Sequence, residues 1–124
     1  MSDDQDTAIY HMCRRGEWQA AVATGFYSGS SQDQDDGFIH FSSAAQAVVS
    51  AAKHRAGQDN LVLLRVDPDK LGPALKWEPS RAGQLFPHLY GPLPVAAVIK
   101  AYDINLGPDG RHVFPTELNL REGS

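Results

Sequence analysis

Asp36-Gly37-Phe38-Ile39-His40-Phe41-Ser42-Ser43 is the stretch on which the reading of the fold turns. A polar, acidic segment from Ser30 to Asp36 ends at Gly37, and a short apolar run with one imidazole in its middle follows. Alternation along Phe38 to Phe41 puts Phe38 and His40 on one face of a strand, and Ile39 and Phe41 on the other. Ser42 and Ser43 are good helix N-caps, so the pattern predicts free backbone N–H groups close to His40. A histidine beside a helix N-terminus suits an anionic ligand. The other reading of the same octet is a half-buried core histidine.

Outward from the octet, the pattern alternates. Ala8 to Met12 reads as a strand. Glu17 to Thr24 reads as a short helix, with Trp18 and Val22 four apart on one face and Gly25 closing it. Trp18 reads as a core anchor, and Phe26 to Asp36 as an irregular loop rich in Ser, Gly and Asp. After the octet, Ser43 to Arg55 reads as a helix with Ala45, Val48, Val49 and Ala52 as its apolar stripe and Gly57 as the stop. Leu61 to Val66 is nearly all apolar, the mark of a central strand covered on both faces. Residues 68–72 suit one helical turn, Leu75 to Glu78 a strand, and Pro79 to Gly83 a loop. Leu89-Tyr90 suits a short strand, and Val98 to Ile104 a longer one. The sum is an α+β domain, with two early helices packed on a mixed, largely antiparallel sheet. It spans 8–115, between a disordered acidic leader (1–7) and a tail (116–124).

Composition narrows the function. The chain has 124 residues, 42% hydrophobic and 21% charged, which is ordinary globular composition. Its formal net charge of −4 excludes broad nucleic-acid binding; without Asp3, Asp4 and Asp6 the body holds 12 acidic and 11 basic residues. No apolar run is long enough to span a bilayer, and the N-terminus lacks a secretory h-region. The lone cysteine, Cys13, fits a reducing, cytoplasmic setting and reads as a small, partly buried thiol rather than a nucleophile.

Three of the five histidines are single polar residues inside apolar segments: His11 in Ile9-Tyr10-His11-Met12, His40, and His88 in Phe86-Pro87-His88-Leu89-Tyr90. A buried ring nitrogen needs a partner, so three such placements point to one shared site. His54, in Lys53-His54-Arg55, reads as a helix C-terminal residue, and His112 as structural or exposed. Arg14, Arg15 and Arg81 lie near these segments and are either phosphate ligands or solvated surface charges.

Ile9-Tyr10-His11, Asp36-Gly37-Phe38-Ile39-His40-Phe41-Ser42, Leu61-Val62-Leu63-Leu64, Leu75-Lys76-Trp77-Glu78 and Phe86-Pro87-His88-Leu89-Tyr90-Gly91-Pro92-Leu93 occur here in an order and spacing similar to the bacterial family catalogued as domain of unknown function 952. That family resembles the ADP-ribosyltransferase superfamily, above all its RNA 2′-phosphotransferase branch. The resemblance implies an ADP-ribosyltransferase-like fold with an NAD- or ADP-ribose-like ligand between the two early strands. It implies His11, His40 and Ser42 as binding residues, and Glu78 or His88 as the catalytic group of a transferase or glycohydrolase; the helix start adds Ser43 to the binding residues and the arginine pattern adds Arg81. Two departures stand out. Met12-Cys13 follows the first histidine where the phosphotransferases carry glycine-threonine, and their basic N-terminal lobe is missing.

The chemistry of these side chains agrees in part. Imidazoles bind ribose hydroxyls, guanidiniums bind phosphates, and a carboxylate such as Glu78 stabilises an oxocarbenium-like transition state. Glu78 is equally a surface carboxylate at a strand end. No Gly-x-Gly-x-x-Gly fingerprint is present, which argues against a Rossmann-type site. The alternatives are a non-catalytic nucleotide-binding module and a three-histidine metal site; no His-x-His or His-x-x-x-His pair supports the metal, so none is expected. The expected partner is a small molecule, with no membrane; the sequence leaves the oligomeric state open.

Overall fold

The structure, a computed structural model, describes residues 8–79 and 83–115, and of His54 the backbone. The leader, the tail and Arg81 lie outside the described residues. Nine strands and three α-helices follow one another: β1 Ile9–Arg14, α1 Arg15–Thr24, β2 Phe26–Tyr27, α2 Ser31–Asp36, β3 Ile39–His40, α3 Ala44–His54, β4 Leu61–Val66, β5 Leu75–Pro79, β6 Leu85–Leu89, β7 Leu93–Pro94, β8 Val98–Leu106 and β9 His112–Val113. The fold is α+β, and every strand pairing among the described residues is antiparallel. Strands β1-β4-β8-β9 form one sheet, β3-β6-β5 a second, and β2-β7 a two-stranded ribbon. A bridge between Tyr10 and Ser42 ties the first sheet to the chain just after β3.

β4 is the central strand that its apolar run predicts. Its alternate side chains enter two separate cores: Val62, Leu64 and Val66 pack with Ile9, Cys13, Ile39 and Phe41, while Leu61 and Leu63 pack with Tyr10, Ala47 and Ile104. A strand feeding both faces has no polar side to spare, which is why its sequence lacks alternation. β3 alternates as expected: Ile39 and Phe41 are buried, Phe38 and His40 only half so.

Several local expectations are corrected. The segment read as an irregular loop, Phe26 to Asp36, holds β2 and α2, so the described residues form three α-helices rather than two. Helix α2 is short and polar, and it forms because Ser30 and Asp33 build a reciprocal cap at its start. The stripe of α3 is displaced by one position: Ala47 and Ala51 are buried, whereas Ala45, Val49 and Ala52 are exposed. The helix is apolar on both candidate faces, and close packing on β1 selects the alanine face. Trp18 packs on the core as expected, but Val22 is exposed and Ala21 takes the buried position. Of the pair read as a short strand, Leu89 is the last residue of a longer strand, β6, which starts at Leu85, and Tyr90 lies just beyond it.

Candidate functional site

A cleft of about 600 Å3 opens between β1, the chain from His40 to Ser42, α2 with its cap Ser30, and one face of α3. Residues Ala47, Ser50, Ala51 and Arg55 give it the α3 wall, at helical spacing; Phe41, Leu63 and Phe86 give it apolar surface. His11, His40 and Ser42 line it, as do Arg14, Glu17 and Asp33; neither His88 nor Glu78 does.

The floor is one hydrogen-bonded network around Asp33, which is 3% exposed. Asp33 Oδ1 accepts from the His40 ring at Nδ1 (2.5 Å) and from the His40 backbone N–H (3.1 Å). Asp33 Oδ2 accepts from the Ser30 N–H (2.8 Å) and the Ser30 hydroxyl (3.0 Å). Burial pushes the Asp33 carboxyl up, but the hydrogen bonds from His40 and Ser30 outweigh it and hold the carboxyl well below the usual range. The other nitrogen of His40, Nε2, faces the Asp36 carboxylate at 2.9 Å. With a carboxylate at each nitrogen, the ring is satisfied only as a double donor, the imidazolium. The hydrogen bond to Asp33 raises its pKa, against the opposing effect of burial.

His11 is in the opposite condition. Its Nδ1 lies 2.6 Å from the His40 carbonyl and its Nε2 lies 2.8 Å from the Tyr27 hydroxyl. A carbonyl only accepts, so Nδ1–H donates to it and Nε2 accepts from Tyr27, which fixes the neutral tautomer. Burial lowers the pKa of His11, and the Asp33 charge only partly offsets this. Burial also raises the pKa of Tyr27 and pushes the Cys13 thiol up to about 12, so that thiol is not a nucleophile at neutral pH.

His88 and Glu78 form a second cluster on the other sheet. His40 and His88 are directly opposed across β3 and β6, with ring centroids 5.6 Å apart. His88 Nδ1 lies 2.7 Å from Glu78 Oε1, and the Tyr90 hydroxyl donates to the same oxygen at 2.7 Å. The bond with His88, and then that from Tyr90, lowers the Glu78 pKa, while Glu78 raises that of Tyr90. Phe38 stacks on His88 at 4.1 Å.

The helix start after His40 differs from expectation. The Ser42 N–H donates to Tyr10 O (2.8 Å), the Ser43 N–H to Gln46 Oε1 (2.9 Å), and the Gln46 N–H to Ser43 Oγ (3.2 Å). These donors are consumed by the fold, so the premise of open N–H groups at Ser42 and Ser43 does not hold. His112 Nε2 donates to Gln58 O (2.8 Å) and does not line the cleft. The His54 side chain lies outside the description. Among the described residues no group of three or more His, Cys, Asp or Glu side chains is placed to hold a metal ion.

Sequence reasoning missed Asp33, Asp36, Tyr27 and Arg55. Asp33 had a local signal, the Ser30-x-x-Asp33 capping box. Tyr27 and Arg55 had none, because their partners are far along the chain. Arg55 Nη2 donates to Met12 O (3.2 Å) and Nη1 to Gln58 Oε1 (3.2 Å), which sets the guanidinium at the cleft.

A family model described as Protein of unknown function (DUF952) matches residues 12–101. The chain belongs to that family. The matched span includes His40, Glu78, His88 and Arg55; His11 stands one residue before it. The crystal structure of protein CC0527 from Caulobacter crescentus is similar, at 49% identity and a TM-score of 0.86, covering 91% of this chain and 99% of that one. The solution NMR structure of CC0527 gives 51% identity and a TM-score of 0.77, covering 85% and 90%. No curated protein matches. No helix among the described residues is long and apolar enough to cross a membrane.

Proposed function

We propose that this DUF952 protein binds an NAD- or ADP-ribose-like ligand in the cleft between β1 and α3 and acts on it as a small transferase or glycohydrolase. The observation that carries the reading is the cleft itself. Its volume of about 600 Å3 lies in the range of small-molecule sites, and it combines aromatic walls with a few converging polar groups. Arg14 and Arg55 suit phosphates, Ser42 and Ser50 suit ribose hydroxyls, and Phe41 and Phe86 offer surface to a base. The resemblance to ADP-ribosyltransferases supports the same position, between the two early strands.

Glu78 and His88 lie outside the lining, so turnover by them requires the ligand to reach past His40, whose ring centroid is 5.6 Å from that of His88. The carboxylate fixes the His88 tautomer with the proton on Nδ1, which leaves Nε2 as the basic nitrogen. A base there takes the proton of water or an acceptor hydroxyl as its oxygen attacks the ribosyl carbon. Nicotinamide departs with the glycosidic electron pair, and Glu78 neutralises the imidazolium formed. A second reading, a non-catalytic nucleotide-binding module, is favoured by one observation: Glu78 and His88 do not line the cleft.

Titration calorimetry with NAD and with ADP-ribose tests binding, using wild type and Ser50→Tyr, which fills the cleft from α3. The expected result is binding that disappears in the variant with little change in Tm. Absent binding in wild type, or equal binding in both, refutes the reading. Nicotinamide release that falls in Glu78→Gln and His88→Ala separates the enzyme from the module.

A further inference from the structure

We infer that Arg14 and Arg55 form a two-guanidinium receptor for a phosphoryl group, with diphosphate the best-fitting class. The inference rests on the cleft of the proposed function but not on an NAD-like ligand. Both side chains line that cleft. Alternation along β1 puts Met12 and Arg14 on one face, and Arg55 reaches that strand through Met12 O (3.2 Å). The two cations thus approach from adjoining elements.

Neither has a counter-ion among the described residues. Among the described residues, no carboxylate lies within ion-pair distance of Arg14 or Arg55, although neighbouring Arg15 pairs with Asp103 at 3.2 Å. The acids of the cleft are otherwise engaged. Glu17 accepts from the Arg14 backbone N–H (3.1 Å), and Asp33 is saturated by His40 and Ser30. In a chain of formal charge −4, the lining has two arginines against two carboxylates and becomes positive when His40 holds its proton.

A guanidinium carries five N–H donors, and Arg55 gives one each to Met12 O and Gln58 Oε1. Those two bonds fix its plane and leave donors for a ligand. The fork geometry matches tetrahedral oxyanions, and two such forks suit two linked phosphates. Arg55 also stands at the C-cap of α3, where a cation steadies the helix dipole. That role needs only Arg55; Arg14, at the opposite end of its own helix, gains nothing from it. His40, already held by two carboxylates, is not the anion ligand, which moves the phosphate away from the octet.

The test is calorimetry at low salt with inorganic pyrophosphate as the probe, and NAD and ADP-ribose in parallel arms. The proteins are wild type, Arg14→Gln, Arg55→Gln, Arg55→Lys, and Arg15→Gln as a control outside the cleft. Pyrophosphate affinity should fall about tenfold or more in Arg14→Gln and Arg55→Gln, recover in part in Arg55→Lys, and hold in Arg15→Gln. If Arg55→Gln fails to fold for loss of the Met12 contact, Arg14→Gln decides alone, because its side chain is exposed. No pyrophosphate binding by wild type, or equal binding by all variants, overturns the inference. Pyrophosphate bound in this pattern with NAD and ADP-ribose both unbound supports the receptor and sinks the NAD-like reading. ADP-ribose bound equally by wild type and both glutamine variants sinks the receptor alone.

Discussion

Asp33→Asn is the most informative single change, because one buried carboxylate ties α2 to β3 and holds the His40 imidazole. Each carboxylate oxygen accepts two hydrogen bonds, one set from His40 and one from Ser30. An amide supplies one oxygen, so its NH2 must face one of these sets donor to donor. Each buried donor left unmatched costs about 1–3 kcal/mol, and breaking a buried ion pair costs about 3–5 kcal/mol. We expect a loss of about 3 kcal/mol, the low end, since Asp36 still holds His40 Nε2. For a chain of this size, that lowers Tm by roughly 12 °C.

The pH dependence carries the sharper test. The folded pKa of His40 is raised, so its stabilisation is complete below about 6.5 and is lost as pH rises through the raised value. The folded pKa of Asp33 is lowered, so its contribution is present above about 4 and is lost as pH falls through the lowered value. His11 is lowered, so its contribution is present above about 6.5 and fades toward acid. Between pH 6.5 and 9.5 only the His40 contribution changes among the three, and wild type loses it while Asp33→Asn has little to lose. Urea unfolding of both proteins at pH 6.5, 8 and 9.5 should therefore show the stability gap narrowing as pH rises. A gap under about 1 kcal/mol at pH 6.5, or one that stays constant to pH 9.5, would refute the charged-network account.

Gly29→Ala should be much more damaging than Gly37→Ala. Both glycines have positive φ, +93° and +87°, but a Cβ on Gly29 would stand 2.7 Å from Asp33 Cβ while one on Gly37 meets nothing within 4 Å. The left-handed backbone alone costs about 1–2 kcal/mol, so melting curves should separate the two by at least that much again; equal Tm values would show that Asp33 can move aside. Cys13, 0% exposed with its thiol pushed up to about 12, should resist iodoacetamide at pH 8 in the native protein and react fully in urea. Rapid native labelling would mean that β1 opens locally.

Much of this protein was legible along the chain. The nearly continuous apolar run of Leu61 to Val66 announced a central strand, and β4 feeds two cores with its alternate residues. Gly37 closed one segment and opened the next, and the alternation from Phe38 to Phe41 was read correctly because both periods are local. Sequence also picked out His11, His40 and His88 as polar groups that need partners. It could not say what those partners are. Asp33 lies seven residues before His40 in a segment that looks like loop, and its burial is favourable because His40 and Ser30 together satisfy both carboxylate oxygens. Tyr27 meets His11 across 16 residues, and Arg55 meets Met12 across 43. For α3, two apolar stripes were nearly equivalent, and packing on β1 chose between them. Periodicity fixes what a residue can do within its own element; proton state, capping and charge pairing depend on which elements meet, and that is decided only when the chain has closed on itself.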